Sequence, residues 1–139
     1  MLQALKKWSL AHEPHLLHIH SSEELIATLL FRKRYSQTPV EYFESIGLLD
    51  GDTFLAHQVQ CTQHDFEILE KTHTKVVNNP LANTILSSGM MNYSEFMKRG
   101  IPFAVSTDGS GSADNQNILA ALKLALQWMI RSGLRPTGF

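Results

Sequence analysis

Residues 53–78 read TFLAHQVQCTQHDFEILEKTHTKVVN, and the order of signals within them decides the fold. A short apolar run at 53–57 is followed by a helical stretch at 62–71 and a second apolar run at 75–78. Strand, helix, strand in that order means two parallel strands joined by a crossover helix. The alternation continues downstream: a loop to Gly89, a helix at 93–99, a strand at 102–107, a further loop, and a helix at 117–131. Upstream lies a strand at 16–20, preceded by a helix at 1–12 that Pro14 closes, because proline disfavours helical geometry in the residue before it.

Between the first two strands, Ser21 and Glu24 have capping-box spacing and open an amphipathic helix to about Tyr35. Thr38, Pro39 and Glu41 repeat that signature, with proline in the first turn, for a short helix ending at Gly47. Asp50-Gly51 is a turn. No repeat, low-complexity segment or linker divides the chain, so residues 1–139 read as a single domain of ordinary size.

Four short apolar strands, expected to be buried on both faces, suit a small doubly wound sheet or half of an eight-stranded barrel. Two features favour an α/β parallel half barrel. The polar residues able to do chemistry, His20, His57, Asn78 with Asn79, and Asp108, fall just beyond the C-terminal ends of the strands, where barrels of this kind carry their sites. The last helix is polar only at Lys123, Gln127 and Arg131, and the rest of its surface calls for cover. A full barrel takes roughly 250 residues, so about half the fold is expected from elsewhere.

Charge excludes some partners. Lysine plus arginine number 12 against 13 acidic residues, without a basic stripe, which argues against nucleic acid or an anionic membrane and for a small-molecule ligand. The lone Cys61 has no internal disulfide partner, and the N-terminus shows no leader pattern, so a cytoplasmic protein is expected. The nearly apolar run 118–130 is too short to span a bilayer.

The candidate chemistry begins with His20 and Glu23, a strand-end histidine with a carboxylate three residues on, over one mouth. His57 ends the second strand, and Asp108 follows the fourth in Ser106-Thr107-Asp108-Gly109. Each has an ordinary structural reading: strand-end histidine, helix-start carboxylate, hydrogen-bonded core histidine, turn aspartate. Together, imidazole and carboxylate from separate strands match the nitrogen and oxygen ligands that zinc or iron accepts.

Five segments sharpen this. Residues 17–23 (LHIHSSE), 39–49 (PVEYFESIGLL), 55–57 (LAH), 79–83 (NPLAN) and 106–109 (STDG), in this order and spacing, resemble the amidohydrolase superfamily. They are most similar to its chlorohydrolase and aminohydrolase branch, which includes methylthioadenosine and adenosylhomocysteine deaminases, guanine deaminases and triazine hydrolases. The resemblance runs from about Leu16 to about Arg131 and implies strands five to eight of a TIM-type (β/α)8 barrel.

It further implies one divalent metal ion, zinc or alternatively iron, held by His20 and Asp108. Glu23 would carry a proton to the heterocycle, His57 would contact the activated water or the substrate, and Asp108 would also take the water's proton. Glu23 and His57 thus double as substrate contacts, while Asn83 reads as a turn residue holding the loop after the third strand and Asn115 as one orienting the loop after Asp108. The implied reaction is hydrolytic deamination of a purine-like or other N-heterocycle, with dechlorination as the alternative outcome.

The family's further His-x-His metal pair on strand one has no counterpart here. His18-Ile19-His20 has that form, but the Glu23 offset and the 39–49 segment assign it to strand five. Two ligands are fewer than the usual three, so the isolated chain is expected to be inactive, its remaining half lying outside these residues. The other readings are a self-associating, non-catalytic half barrel, hence a homo-oligomer, and a small metal- or ligand-binding module using His18, His20, His57 and Asp108.

Overall fold

A computed structural model describes residues 1–12 and 15–134. Four strands, β1 (Leu17–Ser21), β2 (Thr53–His57), β3 (Lys75–Asn78) and β4 (Phe103–Val105), form one parallel sheet in the order of the chain. The register sets Ser21 beside His57, Ala56 beside Val77 and Asn78 beside Val105. All four strands therefore end on the same edge of the sheet. The fourth is shorter than the expected 102–107, although the Ser106 amide still donates to the Asn78 carbonyl at 2.9 Å.

The helices are α1 (Leu2–Leu10), α2 (Leu25–Tyr35), α3 (Pro39–Ser45), α4 (Gln63–Thr72), α5 (Pro80–Ile85), α6 (Tyr93–Lys98), α7 (Ser110–Ala113) and α8 (Ile118–Arg131). Two capping boxes fix the starts of α3 and α4. In the first, Thr38 Oγ1 accepts from the Glu41 amide at 3.1 Å while Glu41 accepts from the Thr38 amide at 2.6 Å. In the second, Thr62 and Asp65 do the same at 3.2 and 2.7 Å. Thr38 Oγ1 also donates to the fully buried Asp65, which ties the two helix starts together. After α3, Gly47 takes φ +69°, and the Leu48 amide turns back to the Phe43 carbonyl at 2.9 Å, a glycine-dependent helix stop.

The expected capping box at Ser21 and Glu24 does not form. Ser21 is the last residue of β1, and α2 starts four residues on, with Glu24 as an extended N-cap that makes no side-chain bond. The backbone here is already committed: the Ser21 carbonyl accepts the Gln58 amide at 3.3 Å, and the Ser22 carbonyl accepts those of Val59 and Gln60 at 2.9 and 2.8 Å. The stretch 79–89, expected as loop, contains α5, with Pro80 at its first turn. The helix stop assigned to Pro14 lies outside the described residues.

The core packs one face of the sheet against the helices. Leu17, Leu55 and Val76 meet Val40, Phe43, Phe66, Leu69, Phe96 and their neighbours. The other face is open. His18 and Ala104 are exposed there and Lys75 is half-buried, so the strands are not covered on both faces as their apolar runs suggested. On α2 only Thr28 is buried, while Leu25, Ile26, Leu29 and Leu30 are exposed, Ile26 to 72%; the expected amphipathic packing is not made. On α8 only Ala121 and Ala125 are fully buried, with Leu119 also 72% exposed. Among the described residues no helix is long and apolar enough to cross a membrane.

At the opposite edge, α1 is pinned by a polar cluster. Buried Lys6 pairs with Asp50 and reaches Thr53 Oγ1 at 3.4 Å; Thr53 Oγ1 lies 2.8 Å from the Leu48 carbonyl and 2.9 Å from Asp50 Oδ1. Partial burial would raise the Asp50 pKa, but the bonds from Lys6, Thr53 and the Asp52 amide outweigh it and hold the carboxyl below its ordinary value. A depressed carboxylate contributes stability above its unfolded pKa and loses it as pH falls through the folded pKa. Asp50→Asn is therefore expected to lower the unfolding free energy at neutral pH by about 1–2 kcal/mol. In urea melts, the gap between variant and parent should close as pH falls below about 3.9, the ordinary aspartate pKa; a gap of constant size across that range would refute the assignment.

Candidate active site

Three side chains named from the sequence meet at the C-terminal edge of the sheet. His57 Nε2 lies 3.1 Å from His20 Nδ1 and 3.4 Å from Glu23 Oε2, and His20 Nδ1 lies 3.9 Å from the same carboxylate oxygen. One ligand atom from each of the three falls within 4.8 Å of the others. Their exposures differ: the His20 side chain is 70% exposed, that of Glu23 22%, and that of His57 is fully buried.

Strand alternation alone would separate the two histidines. His20 pairs with Ala56 and His57 with Ser21, so they belong to opposite faces. They meet because the chain leaves extended geometry at His57, which takes φ +76°, followed by Gln58 at +50°. Ser22 and Asp108 take φ +50° and +63°, so three of the four strand ends that border the site turn through the left-handed region. Non-glycine residues pay for that geometry and hold it only when surrounding bonds determine it.

At His57 those bonds are on the page. Asn78 Nδ2 donates to the His57 carbonyl at 2.8 Å, and Asn83 Nδ2 lies 3.0 Å from His57 Nδ1. Asn78 Oδ1 accepts from Tyr93 Oη at 2.7 Å. All four residues are within the core, and burial pushes the Tyr93 hydroxyl pKa well above its usual value. Burial, with His20 beside the ring, lowers the His57 pKa and favours the neutral imidazole. Burial also raises Glu23; His20 opposes that, and the negative charge of Asp108 adds to it.

Asp108 stands apart from the three-residue cluster. It borders the same mouth closely enough for its charge to act on Glu23 and His57, but its own Oδ1 accepts from the Gly109 amide at 2.8 Å. His18 shares the open face with His20, as alternation requires, and does not enter the cluster. Asn115, expected to orient the loop after Asp108, accepts from the Asn117 amide at 2.8 Å just before α8. Asn83 is the main surprise. Expected to brace a loop, it sits inside α5 and contacts the catalytic candidate His57 directly. The sequence shows Tyr93 only as the start of a helix, because nothing local reveals that its hydroxyl reaches Asn78. Beside the cluster, a cleft of about 240 Å³ opens between the end of β1 and α2, lined by His20, Ser22, Glu23, Phe31 and Phe43 among others.

Known proteins share this arrangement of strands. The Amidohydrolase family profile matches residues 1–137. A 5-methylthioadenosine/S-adenosylhomocysteine deaminase of Aquifex aeolicus is 40% identical over 104 residues, covering 75% of this chain and 24% of the relative. One from Thermococcus sibiricus is 36% identical, covering 88% of this chain and 29% of the relative. The chain thus spans about a quarter of the length of such relatives. Among solved structures, a zinc-bound adenosine deaminase of Xanthomonas campestris superposes with a TM-score of 0.88 at 18% identity, over 96% of this chain and 30% of that one. The guanine deaminase of Escherichia coli gives the same score at 19% identity, over 96% and 31%. Four parallel strands with their helices therefore correspond to part of a TIM-type barrel, and the chain belongs to the amidohydrolase family.

Proposed function

We propose that this chain forms one side of the active site of a metal-dependent hydrolase that deaminates a purine-like or related N-heterocycle. The observation that carries the reading is the convergence of His20, Glu23 and His57 within 4.8 Å at the C-terminal edge of a parallel sheet. The names of the two deaminases that share more than a third of their matched residues with the chain support it.

A divalent cation fits the donors at this mouth, which offer imidazole nitrogen and carboxylate oxygen and no soft ligand. His20 and Asp108 would hold it, with zinc favoured over iron. When bound, the cation supplies a water acidified towards neutral pH. Asp108 takes the proton that this water gives up. Glu23, its carboxyl raised by burial, is suited to hold a proton closer to neutral pH than an ordinary carboxylate and to pass it to the ring nitrogen beside the attacked carbon. Once the water oxygen is bonded to that carbon, Asp108 would hand its proton to the exocyclic amine, which would leave as ammonia as the C–N bond breaks, and Glu23 would regain a proton from the added hydroxyl as the carbonyl forms. His57, whose burial favours the neutral imidazole, binds the incoming water or the substrate through Nε2.

His20 and Asp108 fall short of the three protein ligands usual in a catalytic site, so the 139 residues alone are expected to release no ammonia. Supplying the segment of the Aquifex aeolicus deaminase that lies N-terminal to the matched region should restore turnover of adenosine-type substrates. In that assembly, Glu23→Gln is expected to lower kcat by about 10²–10⁴ without changing metal content. His20→Ala should lose the metal, read by elemental analysis. An assembly that holds one equivalent of metal yet frees no ammonia from adenosine-type, guanine or aminotriazine substrates would sink the proposal, and release of chloride alone would replace deamination with dechlorination.

A further inference from the structure

The hydrogen bonds behind His57 have a direction, and the direction can be read from atoms that have no choice. A backbone carbonyl only accepts, so the Asn78 group 2.8 Å from the His57 carbonyl is its NH2. Asn78 Oδ1 therefore faces Tyr93 Oη, which donates to it at 2.7 Å. The second N–H of Asn78 points to Asn83 Oδ1 at 3.5 Å, a long contact but one of the right polarity. With its oxygen so placed, Asn83 presents its own NH2 to His57 Nδ1 at 3.0 Å. Tyr93, Asn78, Asn83 and His57 are each no more than 1% exposed, so water has little access to scramble the order.

We propose that Tyr93, Asn78 and Asn83 are positioning residues that hold His57 in the tautomer with its proton on Nε2, making it a hydrogen-bond donor to the reacting group and barring it from the metal. An amide N–H at Nδ1 requires a lone pair there, and a neutral imidazole with a lone pair on Nδ1 carries its proton on Nε2. That proton faces His20 and Glu23 across 3.1 and 3.4 Å. To ligate a cation through Nε2, His57 would have to move the proton to Nδ1, where it would meet the N–H of Asn83, two donors 3.0 Å apart between fully buried side chains. The cost of leaving such groups unpaired in the core fixes the choice. Of the three residues whose ligand atoms cluster within 4.8 Å, His57 is thus excluded as a ligand by what lies behind it. What the Nε2 proton acts on rests on the deaminase reading, whereas the tautomer itself does not.

Nitrogen NMR on the full 139-residue chain, labelled with ¹⁵N and free of metal and substrate, tests the tautomer independently of any activity. At a pH well above the ordinary imidazole value of about 6.5, His57 Nε2 is expected at the protonated shift and Nδ1 at the unprotonated one. A through-hydrogen-bond coupling between Asn83 Nδ2 and His57 Nδ1 should accompany them. Asn83→Asp replaces the facing donor with an acceptor, and His57 Nδ1 should then gain a proton and change shift class. In Tyr93→Phe the coupling should weaken or vanish as the two amides lose their anchor. A protonated Nδ1 in the unaltered chain, or resolved resonances without coupling, overturns the proposal even if Asn83→Asp fails to fold. A folded Asn83→Asp chain that keeps Nδ1 bare overturns it as well, and undiminished coupling in Tyr93→Phe removes the tyrosine from the relay.

Discussion

The parallel ladder is the constraint on which the rest of the molecule depends. Because β1, β2, β3 and β4 run the same way and stay in sequential order, every strand ends on one edge, and polar residues distant in sequence are delivered to a common mouth. His20 and His57 are 37 residues apart and touch. The helices that return the chain between strands cover one face of the sheet and are themselves held by local chemistry, chiefly the two capping boxes and the Thr38 to Asp65 bond between them. The two edges of the sheet divide the work: Lys6, Asp50 and Thr53 anchor structure at the N-terminal edge, and the acidic and imidazole groups gather at the other.

At the functional edge, polar satisfaction and backbone strain are linked. His57 is the last residue of β2, fully buried, in a left-handed conformation that costs energy, and it persists because its carbonyl, its ring and its neighbour Gln58 are all bonded. Gln58 donates to the Ser21 carbonyl through both its amide and its side chain, at 3.3 and 3.2 Å, which joins the ends of β1 and β2. The geometry that brings the histidines together is thus held by a shell of asparagine, glutamine and tyrosine. Glu23 and His57 are consequently both pushed towards their neutral forms, by burial first. Leu25, Ile26, Leu29 and Leu30 on α2, and Leu119, Leu122 and Leu126 on α8, are meanwhile left exposed.

Much of the fold was legible because its signals are local. Alternating apolar runs and helical stretches located all four strands within two residues at each end, and placed α4, α6 and α8 closely. Thr38 announced a helix start because a capping residue acts on amides two or three positions away, and the structure adds caps at Thr62 and Asn117. Ser21 carried the same spacing and misled, since its backbone is claimed by a loop that follows β2, some 37 residues downstream. Burial of the strands on both faces and packing of α2 were inferred from hydrophobicity, which states that cover is needed but not that these residues provide it.

By itself, the sequence determined the parallel βα order, the strand-end positions of His20, His57 and Asp108, and the resemblance that the family match bears out, because periodicity, capping and motif spacing are properties of short stretches. Only the tertiary structure decided which of those groups meet. Alternation places His20 and His57 on opposite faces, and the turn of the backbone at His57 brings their rings within hydrogen-bond distance. Only the tertiary structure, too, gave Asn83 and Tyr93 their partners, and with them a direction to the bonds behind His57. The physical reason is that a hydrogen bond between buried side chains depends on register and burial across the whole sheet, and no single stretch of sequence contains either.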